Sequence, residues 1–153
     1  MKSILPSILL FTLGALVGGS LLAQNAPPAS APAQKLGSAM YDWEKLTATP
    51  FDRGIRRQVF DGTTTTLDHI HCHITTLNPG QKSADQASLH QQEEIIIVKE
   101  GLVEADWDGK SQTGGPGSVI FLASGATTML RNAGTTPCTY IVIYYYTPLT
   151  PKA

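Results

Sequence analysis

From Met40 onward the chain alternates between short apolar or β-branched runs and breaks at glycine, proline or asparagine. Neighbouring side chains of a strand face opposite sides, so runs of this kind predict half-buried strands. "RQVFDG" and "LDHIHCHITTL" predict two extended stretches around a turn at Asp61-Gly62, with Asn78-Pro79-Gly80 ending the second. "EEIIIVKEG" predicts a buried strand stopped by Gly101. "LVEADWDGK" alternates into Asp108-Gly109, which predicts a hairpin. "SVIFLASG", "TMLRNAG" and "CTYIVIYYYTP" predict three further strands, the last closed by Pro148. "MYDWEKL" fits a short helix or an edge segment. No segment sustains a helical period over about twelve residues. Seven or so short strands with closely spaced turns predict an all-β sandwich or barrel.

The first 23 residues differ in character. Lys2 precedes the apolar run "ILPSILLFTLGALVGG", and small Ala23 follows, the order of a secretory signal cleaved after Ala23. An uncleaved anchor is the rival reading; Pro6 and the glycines weaken it. Residues 24–39, rich in proline, alanine and serine, predict a flexible linker. Residues 40–150 then form one domain, exported to the periplasm or secreted, with no stable membrane anchor once the signal is cleaved. Charged residues make up only 15% and the net charge is −1, which excludes a nucleic-acid-binding surface.

Glycines and ligand-type residues recur at set intervals. Gly80, His90, Glu94 and Gly101 form one series; Gly117, Gly125 and Asn132 form another, fifteen residues further on. In this order they resemble the two motifs of the cupin family. The resemblance implies a cupin-like jelly-roll β-barrel, a double sheet, with a divalent transition metal (Zn, Fe, Mn or Ni) held by three histidines and one glutamate. Two of those positions are occupied by Ser88 and Thr128. The proline expected before Gly125 is Ala123, and seven residues rather than five separate Gly80 from Ser88. His90 and Glu94 alone remain of the ligand set. Serine and threonine hydroxyls donate little charge to such a metal, so the motifs imply an incomplete site.

His69, His71 and His73 alternate along one strand and share one face. Turned inward, His71 or His73 would replace the missing ligands; turned outward, they leave Ile70, Cys72 and Ile74 to the core. The expectation is a split, with His73 lining the pocket and His69 exposed. His90 and Glu94 would otherwise pair with each other. One of Arg56 and Arg57 faces outward; an arginine in the pocket would favour an anionic substrate, though a surface role is expected. Trp107 and Tyr144–Tyr146 suit core packing, a dimer face or a ligand platform. The resemblance places Cys72 and Cys138 on strands that can be neighbours, so a disulfide and two buried thiols both remain open. The resulting expectation is an exported barrel that binds a small polar or sugar-like molecule, with little catalysis. The alternative is a metal-dependent enzyme of the dioxygenase, isomerase or aminohydrolase type with replacement histidines. The family resemblance also allows a homodimer.

Overall fold

The structure, a computed structural model, describes residues 34–151. The expected signal segment and most of the expected linker lie outside the described residues. Backbone pairing begins inside the stretch assigned to the linker. The Leu36 N–H donates to the Thr63 carbonyl at 2.8 Å, and the Thr63 N–H donates to the Gln34 carbonyl at 2.9 Å.

A single 3₁₀ turn, Trp43–Lys45, precedes the strands, with the Asp42 side chain accepting from the Glu44 N–H. The strands are β1 (Ala48–Phe51), β2 (Gly54–Gly62), β3 (His69–Leu77), β4 (Ser88–Leu89), β5 (Glu93–Glu100), β6 (Val103–Trp107), β7 (Lys110–Gly114), β8 (Val119–Leu122), β9 (Thr127–Asn132) and β10 (Cys138–Tyr146). They form a six-stranded sheet, β1-β2-β3-β10-β5-β8, and a four-stranded sheet, β4-β9-β6-β7. All named pairs are antiparallel. The predicted all-β, jelly-roll class is therefore observed. The strands missed by the apolar pattern are β1, β4 and β7, which are short or exposed along most of their length.

Two turns separate expectation from outcome. The Asp108-Gly109 hairpin forms as predicted, with φ of 47° and 78°, the left-handed pair that a tight two-residue turn requires. At Asp61-Gly62 no turn forms. β2 continues through both residues, and the chain reverses over residues 63–68 instead. There the Thr64 hydroxyl accepts from the N–H groups of Thr66 and Leu67. Gly62 is required for a close approach: a Cβ on it would lie 2.2 Å from the Gln34 carbonyl oxygen.

The inward positions of the strands grade in polarity along the barrel. At one end Leu77, Val98, Val103 and Cys138 are buried together. Burying such aliphatic side chains contributes roughly 1.5–3 kcal/mol each. Toward the other end the same strands present His73, His71 and His69 on β3, Glu94 on β5, Thr128 on β9 and Tyr144 on β10. The register keeps these strand ends together: Leu77 faces Cys138, while His71 and Glu94 both face Tyr144. Asn132, fully buried, ties the apolar end. Its Nδ2 donates to the carbonyls of Leu77 and Thr136, and its Oδ1 accepts from the Gly134 N–H.

Candidate functional site

The polar end of the barrel is built mainly from β3. This strand is central in its sheet, hydrogen-bonded along both edges to β2 and β10, and residues on both of its faces are buried. Cys72 and Ile74 are buried on the outer face, while Thr75 and Leu77 continue the histidine face into the core. All three histidines therefore face the barrel. The expectation that His69 is exposed needs correcting: its side chain is 36% exposed and sits at the barrel mouth against Asp61.

Ser88 and Thr128 face each other across β4 and β9, so the two substituted motif positions are neighbours. Neither hydroxyl is free. Thr128 Oγ1 donates to the Asp106 carbonyl at 2.9 Å, and Ser88 Oγ lies 3.0 Å from His90 Nε2. His90 Nδ1 lies 3.0 Å from Glu94 Oε2, an ion pair that occupies the other ring nitrogen. The Gln92 Nε2 lies 3.3 Å from the same nitrogen, whose N–H donates to the nearer Glu94, and the Gln92 Oε1 accepts from the Tyr146 hydroxyl at 3.1 Å. The bond to Glu94 raises the His90 pKa; burial opposes it, and the Glu94 charge adds to it. A metal bound by three imidazoles and a carboxylate needs converging free donor atoms. Here the two surviving donors engage each other and the two replacements are tied elsewhere. Two donors, His90 and Glu94, remain of the family's four, so the motif positions alone do not complete the family's metal set.

A second cluster lies nearer the mouth. Asp61, His69 and His71 bring one potential ligand atom each to within 4.8 Å of one another, the single three-ligand group of this kind among the described residues. Asp61 reaches it because the β2–β3 register shifts between Gln58 and Phe60, which puts Asp61 directly across from His71. His71 Nδ1 lies 3.2 Å from Asp61 Oδ2, and His69 Nε2 lies 2.6 Å from Asp61 Oδ1. Burial pushes the Asp61 carboxyl up, but the bond to His71 and the two imidazole charges outweigh it and leave the pKa lowered. The Tyr144 ring stacks on His71 at 4.6 Å and 9°, fixing the imidazole plane. Behind it His71 Nε2 lies 3.0 Å from His73 Nδ1. Desolvation, then the charges of Arg56 and His71, push the His73 pKa down to about 3, so this ring stays neutral.

Residues 73–144, from His73 to Tyr144, match the family model for the cupin domain. The chain carries a cupin domain. No curated protein matches the chain. Among solved structures it is similar to an RmlC-like cupin from Shewanella frigidimarina, with 13% identity, 74% of this chain and 95% of that chain covered, and a TM-score of 0.59. A predicted oxalate decarboxylase from Thermotoga maritima gives 16%, 71%, 99% and 0.59 in the same order. The polyketide cyclase RemF from Streptomyces resistomycificus gives 16%, 73%, 82% and 0.58. At these identities the likeness shows the fold, and one fold hosts many chemistries.

In this cupin barrel the motif residues surround an inner cavity of about 180 Å³ lined by Arg56, His73, Ser88, His90, Glu94, Thr128 and Tyr144, among others. It adjoins a wider mouth of about 710 Å³ through the shared residues Ser88, His90 and Tyr144. On the β2 side it adjoins a cleft of about 430 Å³ through Arg56 and Ser83. Arg56 thus lines the cavity, whereas Arg57 lies over the Trp43 ring on the outer face. No carboxylate pairs with Arg56 among the described residues; its guanidinium lies 5.8 Å from the Phe51 ring centre. The tyrosine run divides as alternation requires: Tyr144 and Tyr146 line the mouth. Trp107 packs against the core.

The site residues singled out in the sequence fall into two groups. His90, Glu94, Ser88, Thr128 and His73 surround the inner cavity, and His71 belongs to the rim cluster with His69. Sequence reasoning missed Asp61 and Gln92. Simple alternation from Arg56 turns Asp61 outward, and only the bulge brings it in. Gln92 lies between two motif residues and carries no pattern signal.

Of the two states left open for the cysteines, the structure has the buried thiols. Cys72 and Cys138 are both free and buried. Their strands are neighbours, but Cys72 pairs with Ile143 and Cys138 with Leu77. That offset of five residues along β10 spans about 17 Å at strand rise, and the two side chains point to opposite faces. A disulfide needs Cα atoms within roughly 7 Å. Burial raises the Cys72 pKa to about 11 and raises that of Cys138, as for inert core thiols.

Proposed function

We propose that this is an exported cupin that binds a small polar molecule carrying an anionic group in its barrel, without metal at the motif residues and with little catalysis. Arg56 carries this reading. It is an exposed permanent cation at the edge of the inner cavity, where this opens on the β2-side cleft, with no carboxylate partner among the described residues. A guanidinium offers a planar fork of donors suited to a carboxylate or phosphate. The rest of the wall supports a polar ligand. His90, Gln92 and Tyr146 line the mouth with polar groups, Tyr146 donating to Gln92, and Tyr144 adds an aromatic face. The signal-like segment of the sequence supports export. A melting-temperature screen of hydroxy acids, sugar acids, sugar phosphates and the matching neutral sugars tests the reading. Anionic compounds are expected to raise the melting temperature in the unaltered protein and not in Arg56→Gln. A neutral sugar that binds both proteins equally would overturn it.

The alternative is a metal-dependent enzyme with replacement histidines. One observation favours it, the Asp61–His69–His71 cluster, whose two imidazoles and one carboxylate are a donor set known for zinc and for non-haem iron. The cluster opens on the mouth through His69.

A further inference from the structure

We propose that the rim cluster Asp61–His69–His71 binds a divalent transition metal, and that the metal reverses the hydrogen-bonding character of His73 in the inner cavity. The inference concerns a site beside the cupin motif residues, on β2 and β3, and does not depend on which molecule the cavity takes.

Geometry supports convergence at the rim. His69 Nε2 is enclosed and makes no aligned hydrogen bond, although Asp61 Oδ1 lies only 2.6 Å away. His71 Nδ1 faces the other oxygen of the same carboxylate at 3.2 Å. Tyr144 holds the His71 ring in place from behind, which supplies the orientation that a metal-binding imidazole ordinarily takes from its surroundings. Three protein donors leave the remaining positions to water or to a ligand at the mouth.

The coupling follows from counting protons. An ionised Asp61 only accepts, and at 3.2 Å it is nearer to His71 Nδ1 than the Gln58 Nε2 donor at 3.5 Å, so in the metal-free protein His71 carries its proton on Nδ1. Its Nε2 is then bare and accepts from His73 Nδ1 across 3.0 Å. A neutral His73 with its proton on Nδ1 has a bare Nε2. That nitrogen belongs to a ring lining the inner cavity and has no partner among the described residues. Metal coordination through His71 Nδ1 excludes the proton from that atom and moves it to Nε2. His71 then donates to His73 Nδ1, and the His73 proton moves to Nε2. The same two protons are present before and after; only their positions change. Without metal His73 offers the cavity an acceptor, suited to a ligand hydroxyl. With metal it offers a donor, suited to a ligand carbonyl or carboxylate.

Nitrogen NMR of histidine-labelled protein, titrated with zinc alone, reads both parts. The expected result is a metal-bound shift at His71 Nδ1, with the His73 proton moving from Nδ1 to Nε2 in step with zinc occupancy. Asp61→Asn should weaken zinc by more than about 100-fold, beyond what loss of a mere supporting partner commonly costs. His69→Gln should weaken it too, which keeps the test valid if Asp61→Asn folds poorly. No zinc shift at His71 would overturn the site. A zinc shift at His71 with the His73 proton unmoved would overturn the coupling.

Discussion

Asp61 stands directly across from His71 in the β2–β3 ladder, and it does so only because the register slips between Gln58 and Phe60. That slip puts a carboxylate beside imidazoles at the barrel mouth. It also separates two groups: a rim cluster of three potential metal ligands, and a motif centre left with two.

Arg56→Gln removes the cation from the inner cavity and leaves its shape nearly intact. A charge-assisted bond is worth roughly 1.5–3 kcal/mol. Affinity for an anionic ligand is therefore expected to fall about 10- to 100-fold by isothermal titration. Arg56 is exposed and unpaired among the described residues, so the unfolding free energy should change by less than about 0.5 kcal/mol.

The His90–Glu94 pair predicts a pH dependence of stability. Folding raises the His90 pKa, so the folded protein holds this proton more tightly than the unfolded chain. The contribution is complete below the unfolded value of about 6.5 and is lost as pH rises through the higher folded value. Melting temperature should therefore decline over the interval just above pH 6.5. In His90→Gln the decline should flatten, as followed by circular dichroism across a pH series.

Asn132→Ala should be among the most destabilising single changes. It strands the Leu77 and Thr136 carbonyls and the Gly134 N–H, all served by one fully buried side chain. The expected loss is roughly 2–4 kcal/mol in denaturant unfolding. Gly101→Ala should cost more than about 2 kcal/mol. At φ of 75° a side chain is strained, and its Cβ would meet the Cys138 Cα at 2.7 Å.

Both thiols should be present in the native protein and react slowly. Intact-mass analysis after alkylation is expected to show two modifications only under denaturing conditions. Reducing agent should leave the melting temperature unchanged. A mass two hydrogens lighter, insensitive to alkylation after unfolding, would contradict the register that separates Cys72 from Cys138.

Much of the fold was legible because apolar alternation, turn glycines and motif spacing point the same way. Gly101, the Asp108-Gly109 hairpin and Asn132 each carry a local physical requirement that a sequence displays. The site was less legible. Alternation put His69, His71 and His73 on one face, but which face is inward depends on how the sheet packs, with Leu77 of the same face in the core. The bulge that recruits Asp61 leaves no composition signal. The choice between Arg56 and Arg57 rests on strand register, and the cysteine separation rests on the pairing of β3 with β10. These are long-range properties, and a local pattern does not encode them.

The most direct test of the account is metal content in Glu94→Gln. The claim is that His90 and Glu94 bind each other and hold no metal. Protein expressed in metal-supplemented medium would be purified alongside the unaltered chain and assayed by elemental mass spectrometry. The account predicts the same metal content per chain in both. A metal present in the unaltered protein and absent from Glu94→Gln would contradict it and restore the motif residues as a metal centre.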